Sequence, residues 1–127
     1  MNYLGHFLLA NLSPPNVREG YIVGGLLGDF VKGPLGPNTL KNAQISASHK
    51  KSLIDGIALH RHIDARFDQI DDIASARKIC RSDLRRYAGI MIDLAYDNLL
   101  ACQWHTLFNE DLESFERNIV STLLSNR

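Results

Sequence analysis

At 127 residues with 45% hydrophobic content, the chain is long enough for one domain with a real core. Its fourteen basic and fourteen acidic side chains cancel, so net charge offers no argument for nucleic-acid or membrane binding. No apolar stretch reaches the length of a bilayer span, and two cysteines without CxxC spacing make no disulfide framework.

The opening "MNYLGHFLLA" is apolar but short, has no basic leader and contains His6, so it is a poor signal peptide. The expected location is the cytoplasm. "SPP" at 13–15 reads as a helix start, with Ser13 as cap and proline in the first turn. The helix that follows carries Val17, Tyr21, Leu27 and Phe30 and is expected to stop near Gly33-Pro34. Gly24, Gly25 and Gly28 either weaken it or let a neighbour pack closely. After the turn-rich "GPLGPN", Asn38 is placed to cap a helix reaching toward residue 66, with a break around 49–51. "IDDIASARKIC" suits a short helix.

Ser82 then caps the longest periodic stretch, running to Trp104, with Leu84, Tyr87, Ala88, Met91, Ala95, Asn98 and Cys102 on one face. "NEDLESFERNIVSTLL" is a final amphipathic helix whose first-turn acids suit the helix dipole. Strand signals are weak throughout. The expected fold is all-α, a single helical domain over residues 1–127, with Cys80 and Cys102 as buried free thiols.

The chemistry concentrates in "GIALHRHID". On a helix His60 and Asp64 share a face, extended coreward by Ile57 and Leu53, while His62 is turned about 200° from His60. Arg61 and His62 therefore form an outward pair. Asp93 and Asp97 repeat the i,i+4 spacing inside the apolar "IMIDLAYDNLL", where two like charges repel and want a cation. That cation is either a metal or an arginine such as Arg61 or Arg66. Asp29 lies among glycines and apolar residues, and His6 stands alone in an apolar turn. Two histidines and four aspartates on apolar segments are costly to bury without a cation. Jointly they favour a metal centre, and oxygen-rich ligation with a little imidazole suits Mn²⁺ or Mg²⁺.

Four segments together resemble the acyl carrier protein phosphodiesterase family, a divergent branch related to HD-domain phosphohydrolases. They are "MNYLGHFLLA", "GGLLGDFVKG" around Asp29, "GIALHRHIDARFD" and "RRYAGIMIDLAYDNLLACQW". The resemblance implies an HD-domain-like helical fold and metal-dependent cleavage of the phosphodiester joining 4′-phosphopantetheine to a serine of acyl carrier protein. It nominates His6, Asp29, His60, Asp64, Asp93 and Asp97 as metal ligands, with Asp29, His60, Asp64 and Asp97 catalytic. Arg61, His62, Asp68, Arg85 and Arg86 are the expected substrate contacts.

Ten of the fourteen basic residues fall between Lys41 and Arg86, and carrier proteins are acidic, so this region is the expected docking surface. Asn98 and Phe67 stand where the family pattern has histidine and a hydroxyl residue, and family chains extend several tens of residues beyond Arg127. Those departures keep a rival open, a binding module of the same fold without turnover. A third reading keeps the metal and takes a small phosphoester. Oligomeric state is not encoded in any motif.

Overall fold

Two of the described helices begin where the residue just before them accepts a first-turn amide through its side chain. The computed structural model describes residues 3–80 and 82–126, which form α1 (Tyr3–Asn11), α2 (Pro15–Leu27), α3 (Ala47–Phe67), α4 (Asp71–Ile79), α5 (Ala88–Leu107) and α6 (Leu112–Ser125). Ser46 caps α3 by accepting the amide of His49 at 3.2 Å, and Asp111 caps α6 by accepting that of Ser114 at 2.9 Å. Proline occupies the first turn of α2, as read from the sequence. The fold is all-α, with no strand among the described residues and no helix long and apolar enough to cross a membrane.

Several boundaries differ from the sequence reading, each for a local reason. Ser13 does not cap α2. Its hydroxyl donates to Ala10 O at 2.6 Å and closes the end of α1. α2 ends at Leu27 instead of near Gly33-Pro34, and only a short turn carries on to Val31, whose amide donates to Leu27 O at 2.9 Å. Asn38 caps no helix: residues 38–42 form a turn, and α3 starts at Ala47 and runs unbroken through 49–51. Residues 82–87 form turns and a 3-10 segment (Arg85–Tyr87), so Ser82 is not the cap of α5. With 21 residues, α3 is slightly longer than the 20-residue α5.

The tightest packing joins α2 to α3. Gly20, Gly24 and Gly28 on α2 meet Ser52, Gly56 and His60 on α3 in the same order, so the two helices run side by side in one direction. A Cβ added at Gly24 would stand 2.4 Å from Leu53 O, and one at Gly20 would stand 2.0 Å from Ser52 Oγ. Glycine every fourth residue thus clears one face of α2 for the backbone of α3. The connector returns to the start of α3, and both Arg61 Nη atoms fasten it, donating to Val31 O and Gly33 O at 2.8 Å.

α1, α2, α5 and α6 enclose the main core of Ala10, Ile22, Trp104, Phe115 and Ile119. Trp104 anchors it, packing at a tilt against the rings of Phe108 and Phe115 while its indole N–H donates to Glu110 O at 2.8 Å. Phe67, Ile73 and Ile92 form a second cluster where α3, α4 and α5 meet. The buried face of α5 is Ala88, Ile92 and Trp104, not the face running through Met91: Ile92 is 7% exposed and Met91 45%. Cys102 lies on that outward side and is exposed, whereas Cys80 is partly buried, and both thiols are free.

Candidate functional site

The α2–α3 seam, with α1 laid across it, brings together residues far apart in the chain. Gly28 leaves room for the His60 ring, since a Cβ there would lie 2.3 Å from His60 Cγ. α1 sets His6 over the same ring. The two imidazoles stack with centroids 3.9 Å apart and planes 11° from parallel. Both are buried, His6 at 2% exposure and His60 at 4%.

Asp64, one turn beyond His60, bridges the pair: its Oδ1 accepts from His6 Nε2 at 3.0 Å, and its Oδ2 lies 3.3 Å from His60 Nε2. From the end of α2, Asp29 places Oδ1 3.4 Å from His60 Nε2. Donor atoms of His6, His60 and Asp64 lie within 4.8 Å of one another. That spread is close to the roughly 4 Å between opposite donors around an ion bonded at about 2.0–2.2 Å.

At His6 the electrostatics favour the neutral imidazole. Burial pushes the His6 pKa below its ordinary value, the neighbouring His60 adds to that, and Asp64 opposes it. Neutral imidazoles with carboxylates beside them are competent ligands for a divalent cation. The Nδ1 atoms of both histidines are buried without a partner among the described residues, which leaves Nε2 as the nitrogen that meets the carboxylates on each ring.

A polar cavity of about 240 Å³ opens onto this cluster. Tyr3, His6, Asp29, Asp64, Asp68, Arg77 and Asp93 line it, while His60 sits behind His6 and touches the lining through Asp29 and Asp64. The Tyr3 hydroxyl is hydrogen bonded to Asp29; that bond, then burial, then the carboxylate's charge hold its pKa above the usual tyrosine value. Tyr3 therefore keeps its proton at the rim.

Six of the residues nominated from the sequence meet at this cavity: His6, Asp29, His60, Asp64, Asp68 and Asp93. Asp97 does not line it. Its carboxylate turns to the start of α1, accepting the amides of Leu4 at 2.8 Å and Gly5 at 3.2 Å. Arg61 is committed to the connector, and exposed His62 borders a separate, more apolar hollow of about 580 Å³ with Leu9, Ile63 and Phe67. Arg85 and Arg86 are exposed on the 3-10 turn, outside the cavity lining, with Arg86 over the Tyr87 ring.

Two lining residues escaped the sequence reading. Tyr3 was given no role, although its i,i+3 spacing to His6 is a weak signal of a shared face. Arg77 sits in a short polar helix where nothing in the sequence sets it apart from Lys78.

The acyl carrier protein phosphodiesterase family model matches residues 1–127. The chain belongs to this family. A Klebsiella pneumoniae subsp. pneumoniae protein named acyl carrier protein phosphodiesterase is 33% identical over 128 residues, covering 97% of the chain and 58% of the relative. Two Escherichia coli proteins of the same name are 34% identical over 107 residues, covering 84% of the chain and 48% of each relative. The chain thus spans about half the length of these relatives. No solved structure matches it.

Within the acyl carrier protein phosphodiesterase pattern, the two departures fall outside the cavity. Phe67 is a core residue set edge-on to Tyr96 at 5.3 Å, and Asn98 is exposed and receives a long 3.9 Å contact from Cys102 Sγ.

Proposed function

We propose that this chain is a metal-dependent phosphodiester hydrolase that releases 4′-phosphopantetheine from the serine of holo acyl carrier protein. The observation that carries the reading is the convergence of His6, His60, Asp64 and Asp29 from three helical segments onto one polar cavity, in a chain of this family. The two imidazoles and two carboxylates fit a divalent cation, and the imidazole share favours Mn²⁺ over Mg²⁺. Such a cation supplies charge neutralisation for phosphoryl oxygens and acidity for a water.

The protein's own groups do the rest. Asp29 and Asp64 crowd the cavity with negative charge that a bare phosphodiester would not approach, so substrate entry depends on that charge being neutralised. Asp93, on the α5 wall, offers a carboxylate to orient the incoming water. In the reaction water adds to phosphorus, the bond from phosphorus to the serine oxygen breaks, and the serine leaves with a proton. That proton is the one the attacking water gives up, while Tyr3, whose single hydroxyl proton goes to Asp29, steadies that carboxylate at the rim. Because Phe67 and Asn98 lie away from the lining, they remove no donor from it, and this favours an enzyme over a binding module without turnover.

The deciding experiment incubates the protein with holo acyl carrier protein and Mn²⁺ and follows the carrier's mass. Loss of the phosphopantetheine mass supports the reading. An unchanged carrier that still binds the protein supports the non-catalytic module, and turnover of a small phosphodiester alone moves the substrate to that class.

A further inference from the structure

We infer that Arg77 is the anion-binding cation of the cavity, the group that meets a phosphate oxygen opposite the histidine–aspartate cluster. Among the described lining residues, Asp29, Asp64, Asp68 and Asp93 are acidic, and Arg77 is the one lysine or arginine. The arginines nominated from the sequence are elsewhere: Arg61 holds the connector, and Arg85 and Arg86 project from the 3-10 turn.

Arg77 is half-exposed at the cavity and braced there. α4 is fixed by the burial of Ile73, and Asp68 at the end of α3 accepts a hydrogen bond from Arg77 Nη2. On the α5 side the guanidinium lies beside Gly89, where an added Cβ would be in ordinary contact at 3.8 Å from Nη2. Asp68 therefore fixes the position of the fork without using all of it. The Nε–H is buried with no acceptor among the described residues. A buried N–H without an acceptor is costly, and the planar guanidinium is shaped to give two parallel N–H bonds to a phosphate or carboxylate. With its side chain 40% exposed, the guanidinium can turn this edge toward a phosphoester oxygen that enters the cavity.

The identity of the anion as a phosphodiester rests on the function proposed above, whereas the anion site itself does not. The test is calorimetric titration of Mn²⁺-loaded protein with inorganic phosphate, and of the metal-free protein with Mn²⁺. Wild type, Arg77→Gln and Arg77→Lys are compared. Arg77→Gln is expected to weaken phosphate binding by about ten-fold or more, the loss of a charge-assisted pair. Arg77→Lys should recover part of it. Mn²⁺ affinity of Arg77→Gln should hold or rise, because a positive charge beside the ligands has been removed. Opposite signs for the two ligands identify a charge facing the site, whereas a brace whose loss loosens the fold would weaken both.

Phosphate affinities within two-fold across the three proteins, or parallel losses of phosphate and Mn²⁺, overturn the assignment. Arg77-dependent phosphate binding by a protein that leaves holo carrier protein intact sustains the anion site and defeats the phosphodiesterase reading. Cleavage that is unchanged in Arg77→Gln does the reverse.

Discussion

Gly28 and His60 are built as one unit: a side chain on the glycine would occupy the place of the imidazole, 2.3 Å from Cγ. Gly28→Ala must therefore push His60 off the carboxylates of Asp29 and Asp64. Overpacking of this kind costs about 1–3 kcal/mol, and the displaced ring should weaken Mn²⁺ binding as well. Gly25 supplies the control, because a Cβ there meets nothing within 4 Å. Gly25→Ala should be neutral or stabilising by up to about 1 kcal/mol from helix propensity. Urea unfolding and Mn²⁺ titration of both variants check this, and equal behaviour of the two would refute the seating.

What the sequence made legible follows the strength of its local signals. His60 and Asp64 lay on a stripe with Leu53 and Ile57, and the structure puts that stripe on the buried side of α3. Asp111 preceded an amphipathic run with a clear phase, and α6 formed there. α5 is the opposite case. It is apolar on nearly every side, so the periodicity pointed to the face through Met91, and contacts with α1 and α4 chose Ile92 instead. The glycines at 24, 25 and 28 announced close packing but could not name α3 as the partner. Asp93 and Asp97 share one environment in sequence, and the approach of α1 alone separates a cavity wall from a helix cap.

That separation is testable. Asp97 closes the first turn of α1 from another helix, so Asp97→Ala should cost about 0.5–2 kcal/mol, the range of a lost N-cap. Mn²⁺ affinity should change by less than about three-fold, whereas Asp64→Asn should lower it by about ten-fold or more. If Asp97→Ala matched Asp64→Asn in metal binding at unchanged stability, Asp97 would be a ligand after all.

Metal binding should itself stabilise the fold. By mass action, Mn²⁺ at 100 times its dissociation constant adds about 2.7 kcal/mol, read as a rise in melting temperature. His60→Ala should lose most of that rise, because its Nε2 sits between Asp29 and Asp64. His62→Ala should keep it, since His62 is exposed beside the apolar hollow. A wild-type melting temperature indifferent to Mn²⁺ would leave the histidine–aspartate cluster as a simple hydrogen-bonded network.

The pH dependence of the chelated protein follows from His6. Its folded pKa is lowered, mainly by burial, so between that value and the unfolded value of about 6.5 the unfolded chain binds more protons. Stability is then complete above about pH 6.5 and declines as the pH falls through the window beneath it. His6→Gln retains an amide that can donate to Asp64 but does not titrate there. Its melting temperature should fall less steeply than that of wild type between pH 7 and pH 5. Parallel slopes would mean that other groups carry the acid sensitivity.

The last prediction concerns the approach of a partner. Arg85 and Arg86 lie on the turn that leads into α5, and Asp93 on the cavity wall is seven residues beyond Arg86. At 1.5 Å per residue that is about 10 Å along the chain, so the turn and the cavity wall are close enough for one acidic partner to meet both. Charges at such an exposed rim act mainly on encounter, not on the lifetime of the complex. Reversing both arginines to glutamate should slow association with acyl carrier protein by about ten-fold or more at low salt and leave dissociation nearly unchanged. The deficit should shrink as salt rises, because exposed charges are screened over about 10 Å at 0.1 M. Stopped-flow association at several ionic strengths measures both rates. An on-rate with the same salt dependence in wild type and the double variant would move the docking surface to another part of the basic region between Lys41 and Arg86.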